Sequence, residues 1–210
     1  MTVADGLFVT FEGIDGSGKS TQARRLAEHL TASGRETVLT REPGGSSGAE
    51  ELRALLVEGD PDRWSPETEI LLFTAARRDH IERTVDPALA EGKTVICDRF
   101  VDSTRAYQGS GPNRKLVEAL HRLMIPRDPD LTILVDIDER EAEQRARLRA
   151  GCEDRFERHG LEFQHSLRSA FLDIAADDPA RVRVVDGTGM ESEVFTRVWS
   201  AVEGFIDGQG

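Results

Sequence analysis

Five short apolar runs recur along the chain: LFVTFE (7–12), TVLT (37–40), TVICD (94–98), LTILVD (131–136) and VRVVD (182–186). Each has the length of a strand. Between them the apolar spacing changes to three and four. Residues 19–33 place Ala23, Leu26, Ala27 and Leu30 on one helical face, and Gly34 stops the run. Residues 67–89 keep helical periodicity through Ile70, Leu71, Phe73, Thr74 and Ile81, with Pro66 at the start. Further helices are predicted over 49–57, 116–123, 139–149, 161–176 and 192–206, with a polar connector at 150–160. Strands alternate with helices from end to end. That pattern predicts an α/β fold, a five-stranded parallel sheet with helices on both faces.

The first strand runs directly into Gly13-Ile14-Asp15-Gly16-Ser17-Gly18-Lys19-Ser20, followed by Thr21 and a helix. This is G-x-x-x-x-G-K-[ST] in the strand-to-helix context that gives it meaning. Glycines let successive N–H groups curl around phosphate oxygens, and the helix N-terminus adds its dipole. Lys19 is placed to reach the β- and γ-phosphates of a nucleoside triphosphate, and the Ser20 hydroxyl to ligate Mg²⁺. The fold expected is therefore the P-loop NTPase-like three-layer sandwich. A P-loop shows that a triphosphate binds, not where its γ-phosphate goes.

Composition narrows the field. The chain has 210 residues, which suits a single domain (1–210), and a net charge of −12, which repels nucleic acid. Lysine occurs only at 19, 93 and 115 among 27 basic residues, so a lysine inside a motif carries information. No apolar run approaches the roughly 20 residues of a membrane helix, and residues 1–6 have neither the basic patch nor the apolar stretch of a secretion signal. Cys97 and Cys152 have no CxxC spacing and read as free thiols. No membrane association is expected, and the expected location is the cytoplasm.

An acceptor site is needed to complete the reading. Thr40-Arg41-Glu42-Pro43-Gly44-Gly45 follows the second strand and Cys97-Asp98-Arg99-Phe100 ends the third. Ligands of open parallel sheets sit beyond the C-terminal strand ends, where these segments and the P-loop must all fall. Two arginines and a carboxylate beside a triphosphate suggest a second anion held for transfer. The segments FEGIDGSGKST (11–21), TREPGG (40–45), ELRALL (51–56), LLFTAARR (71–78), DRFVDSTRAYQG (98–109), PDLTILVDI (129–137) and RARLRAGCEDRFE (145–157) together resemble the thymidylate kinases, of the bacterial type with a basic lid.

The resemblance implies roles. Phe73 would stack on thymine and Arg77, one turn later, would hydrogen-bond its O4. Arg53 and Arg99 would clamp the acceptor phosphate, while Glu42 and Pro43 would border the acceptor. Thr104 and Gln108 would line the base pocket, and Tyr107 would pack on the sugar. Asp15 would lie near the 3′-hydroxyl. Ser20, Glu42 and Asp98 would organise Mg²⁺, and residues 187–189 would sit near adenine. Lys19, Asp98, Arg99 and a lid arginine, Arg149 first, would serve catalysis. Some family members carry an arginine where this chain has Gly16. Members without it use a basic lid, here residues 145–160 with Arg145, Arg147 and Arg149, although such a charged row also fits a solvated helix face. The resemblance further implies a homodimer.

The implied reaction is ATP + dTMP → ADP + dTDP. Another nucleoside monophosphate kinase and a P-loop switch protein remain as alternatives, although the chain has no N/T-K-x-D guanine-reading segment.

Overall fold

The computed structural model describes residues 6–60, 63–109, 111–148 and 160–208. Five strands form one sheet: β1 (Phe8–Glu12), β2 (Thr37–Arg41), β3 (Thr94–Asp98), β4 (Leu131–Asp136) and β5 (Val182–Asp186), in the order β2-β3-β1-β4-β5. Every pairing is parallel, with Thr10 opposite Cys97 on one side and Thr132 on the other. The chain leaves β1 for the β3 side, then crosses to β4. The reversal opens a crevice at the C-terminal end of β1.

The two-residue period of the strands sorts their side chains onto two faces. Val9, Phe11, Ile96, Ile133 and Val135 point to one face, where α1 (Lys19–Ala32) and α9 (Glu191–Gly208) cover them. Helix α9 docks through Val194, Val198 and Val202, four residues apart and buried. Each such burial stabilises the helix by roughly 1.5–3 kcal/mol. Phe8, Val95 and Cys97 point the other way, onto a continuous helical stretch. It comprises α3 (Pro66–His80), a π-helical turn (Ile81–Val85) and α4 (Asp86–Ala90). Leu134 on that same face meets α8 (Leu161–Asp177) through Leu167 and Phe171. The remaining helices are α2 (Ser47–Val57), α5 (Val101–Tyr107), α6 (Asn113–Met124) and α7 (Glu139–Leu148).

The sequence reading differs from this in three places. Residues 67–89 read as one regular helix, and the structure puts a π turn inside it, because apolar periodicity does not register a change of hydrogen-bond period over one turn. Helix α5 was not expected. It is seven residues long and carries Asp102, Ser103, Thr104 and Arg105 in place of an apolar stripe. The connector 150–160 falls almost wholly outside the described residues.

Gly16 shows how closely α7 packs on the P-loop. Its φ is +88°, and a Cβ there would lie 2.0 Å from the Ala142 carbonyl oxygen of α7. The obstacle is backbone, so no rotamer relieves it. An arginine at this position would require α7 to move. Gly16→Ala is expected to destabilise the protein by about 2–4 kcal/mol from the left-handed backbone and the overlap together. A thermal melt should show Tm lowered by roughly 4–16 °C. A curve within about 1 °C of the parent would show that α7 yields without cost.

Candidate active site

A cleft of about 240 Å³ opens where the C-terminal ends of β1, β2 and β3 meet. It is lined by Asp15, Gly16, Gly18, Lys19 and Ser20 from the P-loop, and by Arg41, Glu42 and Pro43 after β2. Arg53 and Val57 of α2, Phe73 and Arg77 of α3, and Asp98, Arg99, Phe100, Ser103, Thr104, Tyr107 and Gln108 complete the wall. Residues from 15 to 108 in sequence thus share one cavity. Gly13, Ile14, Ser17 and Thr21 do not line it. Ile14 is core, and the Ser17 N–H closes the turn on the Ile14 carbonyl at 3.2 Å.

The P-loop lysine does not point into open space. Lys19 Nζ donates to Asp15 Oδ1 at 3.1 Å, and Arg99 Nη2 donates to the same oxygen. The Tyr107 hydroxyl donates to the other oxygen, Oδ2, at 3.2 Å. Burial alone would push the Asp15 carboxyl up, but Arg99 and Lys19 overcome it and hold the group well below the usual range. The cation expected at the donor phosphates and the one expected at the acceptor phosphate therefore converge on one oxygen atom.

Arg99 is held there by its backbone. Its φ is +70°, the left-handed region that arginine seldom occupies. Its N–H donates to Phe11 at 2.8 Å, which ties the turn to β1. Glu12, the last residue of β1 and 1% exposed, secures the next step. It accepts the Phe100 N–H at 2.7 Å, the Ser103 N–H at 3.1 Å and the Ser103 hydroxyl at 2.6 Å. A carboxylate from β1 thus caps the first turn of α5 in place of a local residue. Ser103 Oγ in turn accepts from Arg99 Nη1 at 2.9 Å. Burial, reinforced by Asp102 and opposed by Arg99, raises the Glu12 pKa to about 7.

Arg77 stands on the acceptor side, 4% exposed. Its Nε donates to Glu42 Oε2 at 2.7 Å, its Nη2 donates to Thr104 Oγ1 at 3.0 Å, and its guanidinium lies 5.1 Å over the Phe100 ring. The second oxygen of Glu42, Oε1, meets His80 Nδ1 at 3.0 Å, so each oxygen of the Glu42 carboxylate has a partner inside the protein. Arg41 is likewise committed, to Glu50 at 3.1 and 3.2 Å. Asp98 differs: its Oδ1 is buried without a hydrogen-bond partner at the cleft wall.

On the opposite side of the P-loop, residues 187–189 follow β5. A Cβ on Gly187 would come within 3.3 Å of the Ser17 carbonyl, so this loop abuts the phosphate loop. Arg145 Nη1 donates to the Gly187 carbonyl at 3.0 Å and its Nη2 to Glu141 at 2.7 Å. Arg147 pairs with Glu143 on the exposed face of α7. Neither lines the cleft. Arg149 lies outside the described residues.

A sequence model of the thymidylate kinases matches residues 11–198. The chain belongs to the thymidylate kinase family. The thymidylate kinase of Dinoroseobacter shibae is 64% identical over 195 residues, 92% of this chain and 94% of that protein. The thymidylate kinase of Ruegeria pomeroyi is 65% identical over 184 residues, 87% of each. A crystal structure of thymidylate kinase from Ehrlichia chaffeensis superposes with a TM-score of 0.77 at 36% identity, covering 94% of this chain and 99% of that one. As in its family, the reaction is phosphorylation of dTMP to dTDP with ATP as donor. Another acceptor, or a switch protein, is the less favoured reading.

The sequence reading missed Glu12, Ser103 and His80. Glu12 carried a signal: a carboxylate ending an otherwise buried strand needs partners. Its elevated pKa gives a pH dependence with a definite sign. From 4.5, its ordinary value, up to about 7, the folded protein holds a proton that the unfolded chain releases. Stability from this group is therefore present below pH 4.5 and lost as pH rises to about 7, a change on the order of 3 kcal/mol. Glu12→Gln mimics the protonated form and should flatten that slope. Urea unfolding at several pH values across this window measures it, and parallel slopes in both proteins would contradict the assignment.

Proposed function

We propose that this cleft transfers the γ-phosphoryl group of ATP directly to the phosphate of dTMP. The observation that carries this reading is the convergence of Lys19 and Arg99 on Asp15 Oδ1. Two anions must be brought into line against their repulsion, and two cations a single oxygen apart set that spacing in advance.

The P-loop backbone around Gly13–Thr21 holds the triphosphate, with Lys19 against its terminal phosphates. Arg99, with Arg53 across the cleft, holds the acceptor phosphate. Arg53 is itself oriented by donating to the Pro43 carbonyl at 2.8 Å. The acceptor phosphate is mostly ionised at pH 7, since its second pKa is about 6, so no general base is required. Phe73 stacks on thymine, Arg77 donates to O4, Thr104 and Gln108 close the base pocket, and Tyr107 packs on the sugar. Asp15 lies near the 3′-hydroxyl, and residues 187–189 lie by adenine.

The orphaned Asp98 Oδ1 and the exposed Ser20 hydroxyl fit a divalent cation. Among the described residues no group of three His, Cys, Asp or Glu side chains could hold one unaided. Mg²⁺ suits such a place, since it takes phosphate oxygens and water as its other ligands. When bound, it neutralises phosphate charge. The assembly proposed is a homodimer, supported by exposed Leu71 of α3 and Leu123 and Met124 of the adjoining α6. A cytoplasmic location is supported by the buried, unpaired Cys97 thiol and by ATP as donor. Among the described residues no helix is long and apolar enough to cross a membrane.

Lys19→Ala is expected to lower kcat at least about 10²-fold, because a fixed charge near the transferring group is lost. ADP release coupled to a dehydrogenase reads this, and a loss under threefold would refute the role. Arg77 can only donate, and cytosine presents an amino donor where thymine presents O4. The parent should therefore favour dTMP over dCMP strongly in kcat/KM, and Arg77→Ala should narrow the gap at least about tenfold. Equal kcat/KM for both acceptors in the parent would dismiss the base-pocket assignment.

A further inference from the structure

One buried group near the cleft has no part in the scheme above. His80 is 0% exposed and does not line the cavity. Its Nδ1 meets Glu42 Oε1 at 3.0 Å, and its Nε2 meets Thr40 Oγ1 at 2.8 Å. A carboxylate paired with Arg77 accepts only, so Nδ1–H is the donor. Glu42 therefore stands between two donors from α3, His80 on one oxygen and Arg77 on the other. The hydrogen-bonded row runs Thr40, His80, Glu42, Arg77, Thr104, without a break.

The row has the geometry of a support. Arg77 and His80 sit at i and i+3 on α3, and Thr84 follows at i+7 within the π turn. The Thr84 hydroxyl donates to the Gly45 carbonyl at 2.7 Å. One helical face thus grips residues 42–45 at three points. The fit around the imidazole is close. A Cβ on Gly45, whose φ is +85°, would lie 2.6 Å from His80 Nε2 and 2.4 Å from Thr40 Oγ1. Among the described residues no other side chain hydrogen-bonds the second oxygen of Glu42. Without His80 the carboxylate is free to rotate about its last bond, and the Nε bond of Arg77 turns with it. A guanidinium is planar, so a rotation there moves every remaining N–H that faces the base.

We propose that His80 is a positioning residue for base selection. It touches no nucleotide and fixes the plane in which Arg77 presents its donors, by clamping the carboxylate that Arg77 leans on. The inference rests on the reading of Arg77 as the reader of thymine O4. It deepens that reading by placing part of thymine-over-cytosine discrimination one residue behind the cavity wall.

The test measures kcat/KM for dTMP and for dCMP in His80→Leu, His80→Gln and His80→Asn, with Arg77→Ala alongside. The amide nitrogen of asparagine falls near the position of Nδ1, and that of glutamine near Nε2. The ratio of the two kcat/KM values should fall about tenfold in His80→Leu and His80→Gln, the loss typical of a hydrogen bond to a charged group. His80→Asn, which keeps the donor to Glu42, should stay within about threefold of the parent ratio. KM for dTMP should rise while KM for ATP holds. A purely structural role would lower the yield of active enzyme and both kcat values equally, leaving the ratio untouched, so poor folding does not mimic the result. A parent-like ratio in His80→Leu and His80→Gln, with Arg77→Ala collapsed, overturns the role of His80 alone. An unchanged ratio in Arg77→Ala overturns the reading beneath it. Equal losses in His80→Asn and His80→Gln would also overturn the proposal, since the donor to Glu42 would then be irrelevant.

Discussion

A kinase that joins two phosphates must hold two anions closer than they would come unaided. In this protein the constraint is met by one carboxylate. Asp15 takes Lys19 and Arg99 on a single oxygen, so the protein itself sets the separation of these two cations, the ones proposed for donor and acceptor. The arrangement depends on the sheet. Asp15 follows β1 and Arg99 follows β3, and these are hydrogen-bonded neighbours with Phe11 opposite Asp98. Preorganised charge of this kind costs no reorganisation at the moment of reaction, which is why electrostatic effects dominate such sites.

The same requirement explains where the fold departs from comfort. Arg99 keeps a left-handed backbone, and Glu12 is buried with a raised pKa. Neither favours stability. Both serve the turn from β3 into α5, since the Glu12 carboxylate takes the N–H groups of Phe100 and Ser103 and so fixes the start of the helix that carries Thr104 and Tyr107. Strain and buried charge collect at working sites because the surrounding structure over-determines them. Here the determinants are β1 on one side and Ser103 on the other.

On the acceptor side the polar groups are arranged in depth. Arg77 faces the cavity, Glu42 holds Arg77, and His80 holds Glu42. Buried polar groups of this kind are costly unless every member is satisfied, and fully satisfied they define one geometry. The β2 loop is gripped by α3 and the π turn, so the helix that carries Arg77 into the cleft also shapes residues 42–45. The P-loop side shows a parallel economy. Gly16 has no side chain because the α7 backbone occupies its place, and Gly187 has none because Val135 and the Asp136 carbonyl crowd it beside the P-loop.

Much of this was legible in the chain itself. The strand-helix alternation, the P-loop and the segments around Arg41, Arg77 and Asp98-Arg99 gave the sheet, the family and the residues of the cleft, since strand ends and glycine loops follow local rules of spacing and backbone freedom. What escaped was of another kind. Helix α5 has no apolar stripe, and only Glu12, brought from β1, gives its first turn a cap. The pairing of both Glu42 oxygens with Arg77 and His80, from a helix some forty residues away, left no mark in the spacing. Nor did the turn of Arg145 to the Gly187 carbonyl. Residue type and spacing determine which groups can accept, donate or carry charge, and roughly where along the sheet they emerge. Which of several possible partners each group takes is decided only when distant segments come into contact, because hydrogen bonds and ion pairs reach about 3 Å and sequence carries no such distance.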